Sequence, residues 1–351
     1  MRDGILNLLP SRIAELVQGK TSGTEPTEFD KIIAEGIKWN KKMVPSYHEN
    51  VVDQFTSAFG ARYIERYEDL FVDSILDERV KQKNESAIFL EMGVGTGRYL
   101  IRYGARMLNA QHRRGKRTFY RRKSKVCQGY REDPVLNKYY SYDDNYDKNL
   151  KLLIGVDFQE GMINKSVKVL KAMRLTPLVG KRILLFIAAS QYFDLAFDRS
   201  SEYRDCFKVV TCLFQTLGNQ PREHQIELLK NMKNLAAPHG KVIVSVFNKE
   251  KFVDFGLNRF YIYEVAPTVG EMRDDPEAIK LRKEGILVTK RGVYSKWFDR
   301  HELIDLFDSA GLHATIVNSG KRAIFPNDTE YINKKTQEQI GELLILAEAN
   351  V

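Results

Sequence analysis

The chain is poor in the residues on which two common stabilising devices depend. It has 3 cysteines, Cys127, Cys206 and Cys212, with no CxxC spacing and no nearby histidine. An odd number of cysteines in this arrangement predicts neither a disulfide framework nor a zinc site. We therefore expect reduced thiols and no bound metal.

Long apolar stretches are also absent. No run of about 18 apolar residues occurs, so the sequence predicts no membrane-spanning helix. The N-terminal stretch MRDGILNLLPSRIAELVQGK carries charges where a signal peptide has an apolar core. We expect a soluble, cytoplasmic protein that does not bind a membrane. No internal repeat stands out, which argues against a solenoid.

Acidic residues are missing from one long segment. Between Met92 and Arg131 there are 12 Lys or Arg and no Asp or Glu. The whole chain has a net charge of +9, so the remainder carries a net charge of −3. This segment therefore makes the protein basic.

From Ala87 onward, short apolar runs alternate with amphipathic segments. The predicted strands are residues 87–93, 150–157, 182–189, 207–214 and 241–248, and the predicted helices are residues 98–108, 160–173 and 221–235. Continuous apolar runs are typical of strands buried on both faces of a parallel sheet. The alternation predicts a doubly wound α/β fold with a mostly parallel sheet.

The two ends of the chain have different patterns. The first 85 residues are predicted to be mostly helical, with an apolar stripe over residues 63–80. Near the other end, Asp299 is the predicted N-cap and Gly311 the predicted C-terminal cap of one helix. The stretches HATIVNS and KRAIF then predict a pair of strands, and residues 331–349 predict an amphipathic helix.

The stretch LEMGVGTGR, residues 90–98, follows the first predicted strand of the sheet. Gly93 and Gly95 leave room for a ligand to approach the backbone, and Gly97 lets the next helix pack closely. A tight turn without a ligand is the alternative explanation of this spacing. Asp157 ends the next predicted strand, where its two acceptor oxygens suit the two hydroxyls of a ribose.

The motifs at Glu91–Gly97 and Gly155–Asp157 resemble those of the class I S-adenosylmethionine-dependent methyltransferases. That family has an acidic residue ahead of GxGxG and another at the end of its second strand. A dinucleotide-binding dehydrogenase is the competing interpretation, but its third glycine usually falls one residue later than Gly97. Glu91 would also repel a pyrophosphate. The resemblance covers about residues 60 to 250 continuously.

The resemblance implies a seven-stranded sheet, S-adenosylmethionine as the methyl donor and S-adenosylhomocysteine as the product. The implied donor-binding residues are Glu91, Gly93, Gly95, Gly97, Arg98, Asp157, Phe158, Ser190, Gln191, Phe214 and Asn219. The methionine portion would run along the glycine loop, the ribose would bind Asp157, and the adenine would lie near Ser190 and Gln191. Many family members carry an acidic residue before that polar position, and this sequence lacks it.

Two insertions are expected to determine which methyl acceptor binds. The first, residues 109–149, lengthens the interval between Gly97 and Asp157 to 60 residues, where the family needs about twenty. Its basic part, residues 109–131, interleaves arginines with aromatic residues, as an RNA-binding surface does. A solvated loop whose arginines pair with acids elsewhere is the alternative explanation.

The second insertion, residues 249–298, resembles the substrate lid of small-molecule methyltransferases. Strand-like runs occur at residues 260–265 and 286–289. The candidate catalytic residues are Glu264, Tyr261, Tyr294 and His301. Each is a candidate general base for an amine or phenol acceptor, and packing is the alternative explanation for any single lid residue.

The predicted organisation has four parts along the chain. They are a helical segment (1–85), a donor-binding core (86–248), the lid (249–298) and a last part (299–351) that completes the sheet and closes with a helix. The leading hypothesis is methyl transfer to N or O of a small molecule by in-line displacement, without a metal. RNA, including a cap-like guanine, is the alternative acceptor. A catalytically inactive methyltransferase-like binding module is the third hypothesis, and the oligomeric state is not predicted.

Overall fold

The computed structural model describes residues 5–7, 18–20, 59–81, 86–111, 148–196, 207–252, 283–288, 294–317 and 343–351, with a few single positions before residue 59. The chain divides into two compact units. The first unit comprises Met1–Ser57, Ile75–Val210 and Leu235–Gly240. The second unit comprises Ala58–Ser74, Thr211–Asn234 and Lys241–Val351.

The described strands are β1 (Ile5–Asn7), β2 (Ala87–Met92), β3 (Leu150–Asp157), β4 (Ile183–Ile187), β5 (Phe207–Cys212), β6 (Lys241–Phe247), β7 (Ile286–Val288), β8 (Tyr294–Lys296), β9 (Ala314–Val317) and β10 (Leu344–Asn350). The described helices are α1 (Phe59–Lys81), α2 (Arg98–Gln111), α3 (Glu160–Ala172), α4 (Phe193–Ala196), α5 (Arg222–Leu235) and α6 (Arg300–Ser309). The strand order is β1-β4-β3-β2-β5-β6-β10-β9, and β7 pairs with β8 in a separate small sheet. The predicted doubly wound, mostly parallel α/β fold is confirmed, with the short β1 as a strand beyond the seven expected.

In the first unit, β1, β4, β3 and β2 run parallel to one another. The register places Glu91 beside Gly155 and Asp157 beside Ile187. Every residue of β2 is buried, and so is every residue of β3 except Lys151. Burial on both faces explains why these strands appear in the sequence as continuous apolar runs.

The ends of α6 were predicted from local sequence, and both are confirmed. Asp299 and Glu302 form a capping box: Asp299 Oδ1 accepts from the Glu302 N–H at 2.8 Å, and Glu302 Oε2 accepts from the Asp299 N–H at 2.9 Å. Gly311 follows the helix with a φ of 71°, the left-handed conformation that commonly ends a helix.

The C-terminal segment differs from its prediction. A helix is predicted over residues 331–349, but Leu344–Asn350 form β10, which pairs antiparallel with both β6 and β9. The helix prediction is wrong there. β9 falls within the predicted strand HATIVNS and pairs with β10, while KRAIF lies outside the described residues. Between two strands, the backbone groups of β10 are hydrogen-bonded on both sides and its apolar residues are buried, which outweighs local helix propensity.

The other predicted elements agree closely with the structure. Helix α1 contains the stripe predicted over residues 63–80, and strands β2 to β6 end within two residues of their predicted ends. The predicted strand 207–214 stops at Cys212 because the chain turns sharply at Phe214. The strand-like run at residues 260–265 lies outside the described residues. Among the helices described above, none is long and apolar enough to cross a membrane.

Candidate functional site

The glycine loop connects β2 to α2 in the first unit. Gly93, Gly95 and Gly97 have φ values of 74°, 53° and 81°, in the left-handed region that disfavours residues with a Cβ. The N–H groups of Gly93 and Val94 both donate to Val156 O, at 2.8 and 3.0 Å, which ties the loop to β3. The backbone conformation of the loop therefore favours glycine at all three positions.

Two of these glycines differ in what a side chain would meet. A Cβ at Gly97 would lie 3.2 Å from Ser166 Oγ, which is closer than ordinary van der Waals contact. Among the residues that the structure describes, a Cβ at Gly95 would meet only Gly93 O, at 4.0 Å. These residues therefore pack against Gly97 and leave open space at Gly95. Open space beside an accessible backbone is what a closely bound ligand requires.

Asp157 ends β3, and both of its carboxylate oxygens accept hydrogen bonds from the backbone. Oδ1 accepts from the Gln159 N–H at 2.9 Å, and Oδ2 accepts from the Gly95 N–H at 3.2 Å. Burial raises the pKa of this carboxyl to about 6, although the two hydrogen bonds lower it. A carboxylate oxygen has two lone pairs, so each oxygen can still accept one hydrogen bond from a ligand.

Ser166 of α3 holds the other side of the Gly95 peptide group. Its Oγ donates to Gly95 O at 2.7 Å, while Asp157 accepts from the Gly95 N–H. Ser166 is fully buried, so water does not compete for this hydrogen bond. No sequence signal distinguishes this residue, because a serine on the buried face of an amphipathic helix looks like any other core serine.

The remaining predicted donor-binding residues of the first unit lie close to strand ends. Glu91 is the penultimate residue of β2 and is buried, and Phe158 follows β3 directly and is half-buried. Arg98 begins α2, and Ser190 and Gln191 begin a short 3-10 turn beyond β4. Open parallel sheets bind ligands at this end of their strands.

Phe214 and Asn219 lie in the second unit, after β5. Phe214 and the next residue, Gln215, have φ values of 51° and 68°, which are uncommon for residues other than glycine. The Thr216 N–H donates to Leu213 O at 3.3 Å, so this segment is a turn with two left-handed central residues. Asn and Gly normally occupy such positions.

Buried polar contacts within the second unit hold this turn. The Phe214 N–H lies 2.9 Å from Glu68 Oε1 and 2.6 Å from Ser245 Oγ, and the Ser245 hydroxyl donates to the Glu68 carboxylate. Gln215 Nε2 donates to Lys296 O at 2.7 Å, and Gln215 Oε1 accepts from a backbone N–H of β6 at 2.7 Å. Left-handed conformations cost about 1–2 kcal/mol per residue, and they persist where surrounding contacts compensate for the strain.

The four predicted catalytic residues stay predictions. Glu264 and Tyr261 lie outside the described residues. Tyr294 begins β8, and His301 is exposed in the first turn of α6. Trp297, an aromatic residue of the predicted lid, is fully buried with its ring 4.7 Å from that of Phe247. Trp297 is thus a packing residue.

Part of the basic segment is not available to a polyanion. Arg102 and Arg106 of α2 are 1% and 4% exposed, and Arg106 pairs with Asp77 at 3.1 Å. These arginines belong to the packing of the first unit. Residues 112–147, which carry most of the other basic side chains, lie outside the described residues, so RNA binding stays a prediction.

No family model and no curated protein matches the chain. Among solved structures, it is similar to the 1,6-didemethyltoxoflavin N1-methyltransferase of Burkholderia thailandensis, at 13% identity and a TM-score of 0.45, over 94% of this chain and 92% of that one. It is similar to the methyltransferase domain of bacterial CtHen1 at 14% identity and a TM-score of 0.42, over 82% and 100% of the two chains. It is also similar to CalS10, an amino pentose methyltransferase of Micromonospora echinaspora, at 12% identity and a TM-score of 0.39, over 82% and 92%.

Likenesses as distant as these carry no information about a substrate. The strand order, the left-handed glycine loop after β2 and the carboxylate at the end of β3 are properties of this chain itself. The chain has the fold of the class I S-adenosylmethionine-dependent methyltransferases.

Proposed function

We propose that the chain is an S-adenosylmethionine-dependent methyltransferase that transfers a methyl group to N or O of a small molecule. The observation that carries the proposal is the pairing of Gly95 with Asp157. Open space lies beside the Gly95 backbone, and the Asp157 carboxylate accepts from the Gly95 N–H at 3.2 Å. The open space suits the methionine portion of the donor, and the carboxylate suits the ribose hydroxyls.

The residues of the chain would bind and orient the donor. S-adenosylmethionine supplies a methyl group that is already activated by the positive charge on its sulfur. The buried Glu91 would hold the methionine ammonium, and Asp157 would accept from the ribose. The work left to the protein is to align the acceptor with the methyl group and to exclude water.

Calorimetry with S-adenosylmethionine and S-adenosylhomocysteine tests the donor assignment. We expect both to bind the wild-type protein, and Asp157→Ala to weaken binding by about 1–3 kcal/mol because charge-assisted hydrogen bonds are lost. Asp305→Ala, on the exposed face of α6, is the matched control and should bind as the wild type does. Absence of binding to the wild-type protein would contradict the proposal and favour the inactive binding module.

The acceptor is tested separately with radiolabelled S-adenosylmethionine. A cell extract is divided into a small-molecule fraction and an RNA fraction, and each is incubated with the protein. Label in the small-molecule fraction supports the proposal. Label in RNA would support the alternative acceptor, which the basic residues between 109 and 131 favour.

A further inference from the structure

Gln159 lies two residues after Asp157, at the N-cap of α3. Its backbone N–H donates to Asp157 Oδ1 at 2.9 Å. Its side chain makes no capping hydrogen bond to α3, and glutamine is not among the residues that usually cap a helix N-terminus. The start of the helix therefore does not account for the Gln159 side chain.

The side-chain carbonyl of Gln159 has an unusual environment. Its Oε1 is buried and has no hydrogen-bond partner among the residues that the structure describes. A buried acceptor left without a donor costs about 1–3 kcal/mol, and the large majority of buried polar atoms in proteins have a partner. Close by in the chain, both oxygens of Asp157 accept backbone hydrogen bonds. An unsatisfied acceptor thus belongs to a residue whose backbone N–H is hydrogen-bonded to a carboxylate that has spare acceptor capacity.

We propose that Gln159 is a donor-binding residue whose Oε1 accepts a hydrogen bond from a ribose hydroxyl of S-adenosylmethionine. This inference rests on the proposed function. A ribose brings two hydroxyl donors to the end of β3, and sharing them between Asp157 and Gln159 supplies the donor that Oε1 lacks. The hydrogen bond from the Gln159 N–H to Asp157 keeps the two residues at a fixed spacing.

The chemistry of the side chain suits this position. A second carboxylate would raise the energy of the ionised form of Asp157, since like charges at close range repel. The neutral amide of Gln159 adds an acceptor oxygen without adding a charge. The pair therefore offers acceptors for both hydroxyls while only one group is charged.

Gln159→Met tests the inference because it removes the acceptor and keeps an unbranched side chain of similar length. We expect S-adenosylhomocysteine to bind roughly 10- to 100-fold more weakly, the scale of one lost hydrogen bond to a buried group. We expect the thermal unfolding midpoint of the ligand-free protein to stay the same or rise, because a buried unsatisfied acceptor has been removed. The substitution should thus weaken binding without lowering the stability of the ligand-free protein. If Gln159 had a structural role, its replacement would lower that stability.

Gln225→Met is the matched control. Gln225 is 2% exposed and its Nε2 donates to Gln220 O at 2.6 Å, so this substitution breaks an existing hydrogen bond. It should lower the unfolding midpoint and leave the affinity for S-adenosylhomocysteine unchanged. The 2′-deoxy and 3′-deoxy analogues of S-adenosylhomocysteine identify the hydroxyl: its removal weakens binding to the wild-type protein and causes no further loss in Gln159→Met.

Two results would overturn the inference. One is an unchanged affinity of Gln159→Met when the wild-type protein binds S-adenosylhomocysteine, an outcome that leaves the proposed function standing. The other is a loss of folding stability in Gln159→Met as large as in Gln225→Met. If the wild-type protein binds neither the donor nor the product, the proposed function itself fails and the inference fails with it.

Discussion

At the scale of single residues, Gly95 combines a left-handed backbone with open space where a Cβ would project. We expect Gly95→Val to abolish binding of S-adenosylhomocysteine, because the branched side chain fills that space. The cost to folding should be at least the roughly 1–2 kcal/mol of a left-handed non-glycine residue, because a β-branched side chain disfavours a positive φ further. Calorimetry measures the binding and urea unfolding measures the stability.

Gly97→Ala is the comparison for this variant. Its Cβ would lie 3.2 Å from Ser166 Oγ, in addition to the strain of a φ of 81°. It should therefore lose folding stability through packing as well as through the backbone. Wild-type affinity in Gly95→Val would mean that the loop is a structural turn only.

Asp157 links folding stability to pH in the direction opposite to most carboxylates. Burial raises its pKa to about 6 from an ordinary 3.8, so the folded state holds the proton more tightly than the unfolded state between these values. The Asp157 contribution to the free energy of unfolding should therefore fall as the pH rises from about 4 to about 6, by about 3 kcal/mol at most, and then level off. Asp157→Asn cannot ionise and should lack this contribution.

Urea unfolding of both proteins at several pH values between about 4 and 7.5 measures this dependence. As the pH rises through about 6, the free energy of unfolding of Asp157→Asn should increase relative to that of the wild type. A difference that is independent of pH would contradict the assignment of a raised pKa to Asp157. The same variant should bind S-adenosylhomocysteine more weakly at neutral pH, since it has lost an acceptor.

At the scale of elements, the turn after β5 depends on Gly218. A Cβ there would lie 2.3 Å from Gln215 Nε2 and 2.5 Å from Lys296 O, the two atoms of a hydrogen bond that holds the turn. We expect Gly218→Ala to break this bond and to lower the free energy of unfolding by about 1–3 kcal/mol. Denaturant titration measures the loss.

Gly311→Ala is the control in the same unit. Among the residues that the structure describes, its Cβ would meet only Lys233 Nζ, at 2.9 Å. That flexible end can move away at the cost of its exposed hydrogen bond to Gly311 O, which is 2.7 Å long. The expected loss is therefore mainly the roughly 1–2 kcal/mol of a left-handed alanine. A Gly218→Ala protein as stable as the wild type would mean that Gln215 does not hold the turn.

Elements whose secondary structure is set by their own residues were predictable. The capping box of α6 and the buried runs of β2 and β3 can be seen in the sequence because the interacting residues are neighbours or share one strand. β10 was not predictable in this way. Its run LLILAEA suits a buried helix face or a strand, and the choice depends on pairing with β6, which lies about a hundred residues earlier.

At the scale of the whole molecule, one segment carries much of the positive charge. Residues 112–147 contribute +5 to the net charge of +9. If RNA is the acceptor, replacing them with a Gly/Ser linker of equal length should abolish binding of a single-stranded RNA oligonucleotide. Wild-type binding should weaken steeply with added salt, because phosphate contacts release counterions.

Fluorescence anisotropy at several salt concentrations measures this binding. The linker variant should keep its affinity for S-adenosylhomocysteine, since the proposed donor-binding residues lie outside residues 112–147. RNA binding that survives the replacement, or that does not respond to salt, would contradict a role for this segment. Absence of RNA binding by the wild-type protein would favour the small-molecule acceptor.

The amino-acid sequence by itself determined the α/β alternation, the three glycines after β2 and the carboxylate that ends β3. These features depend on interactions within a strand, a turn or a helix end, so a short stretch of residues contains them. Only the tertiary structure decided that Ser166 holds the Gly95 carbonyl, 71 residues earlier in the chain, and that Glu68 holds the Phe214 amide, 146 residues later. Such residues come into contact only after the chain has folded. Their hydrogen bonds depend on burial and on distance in space, and spacing along the chain does not reveal them.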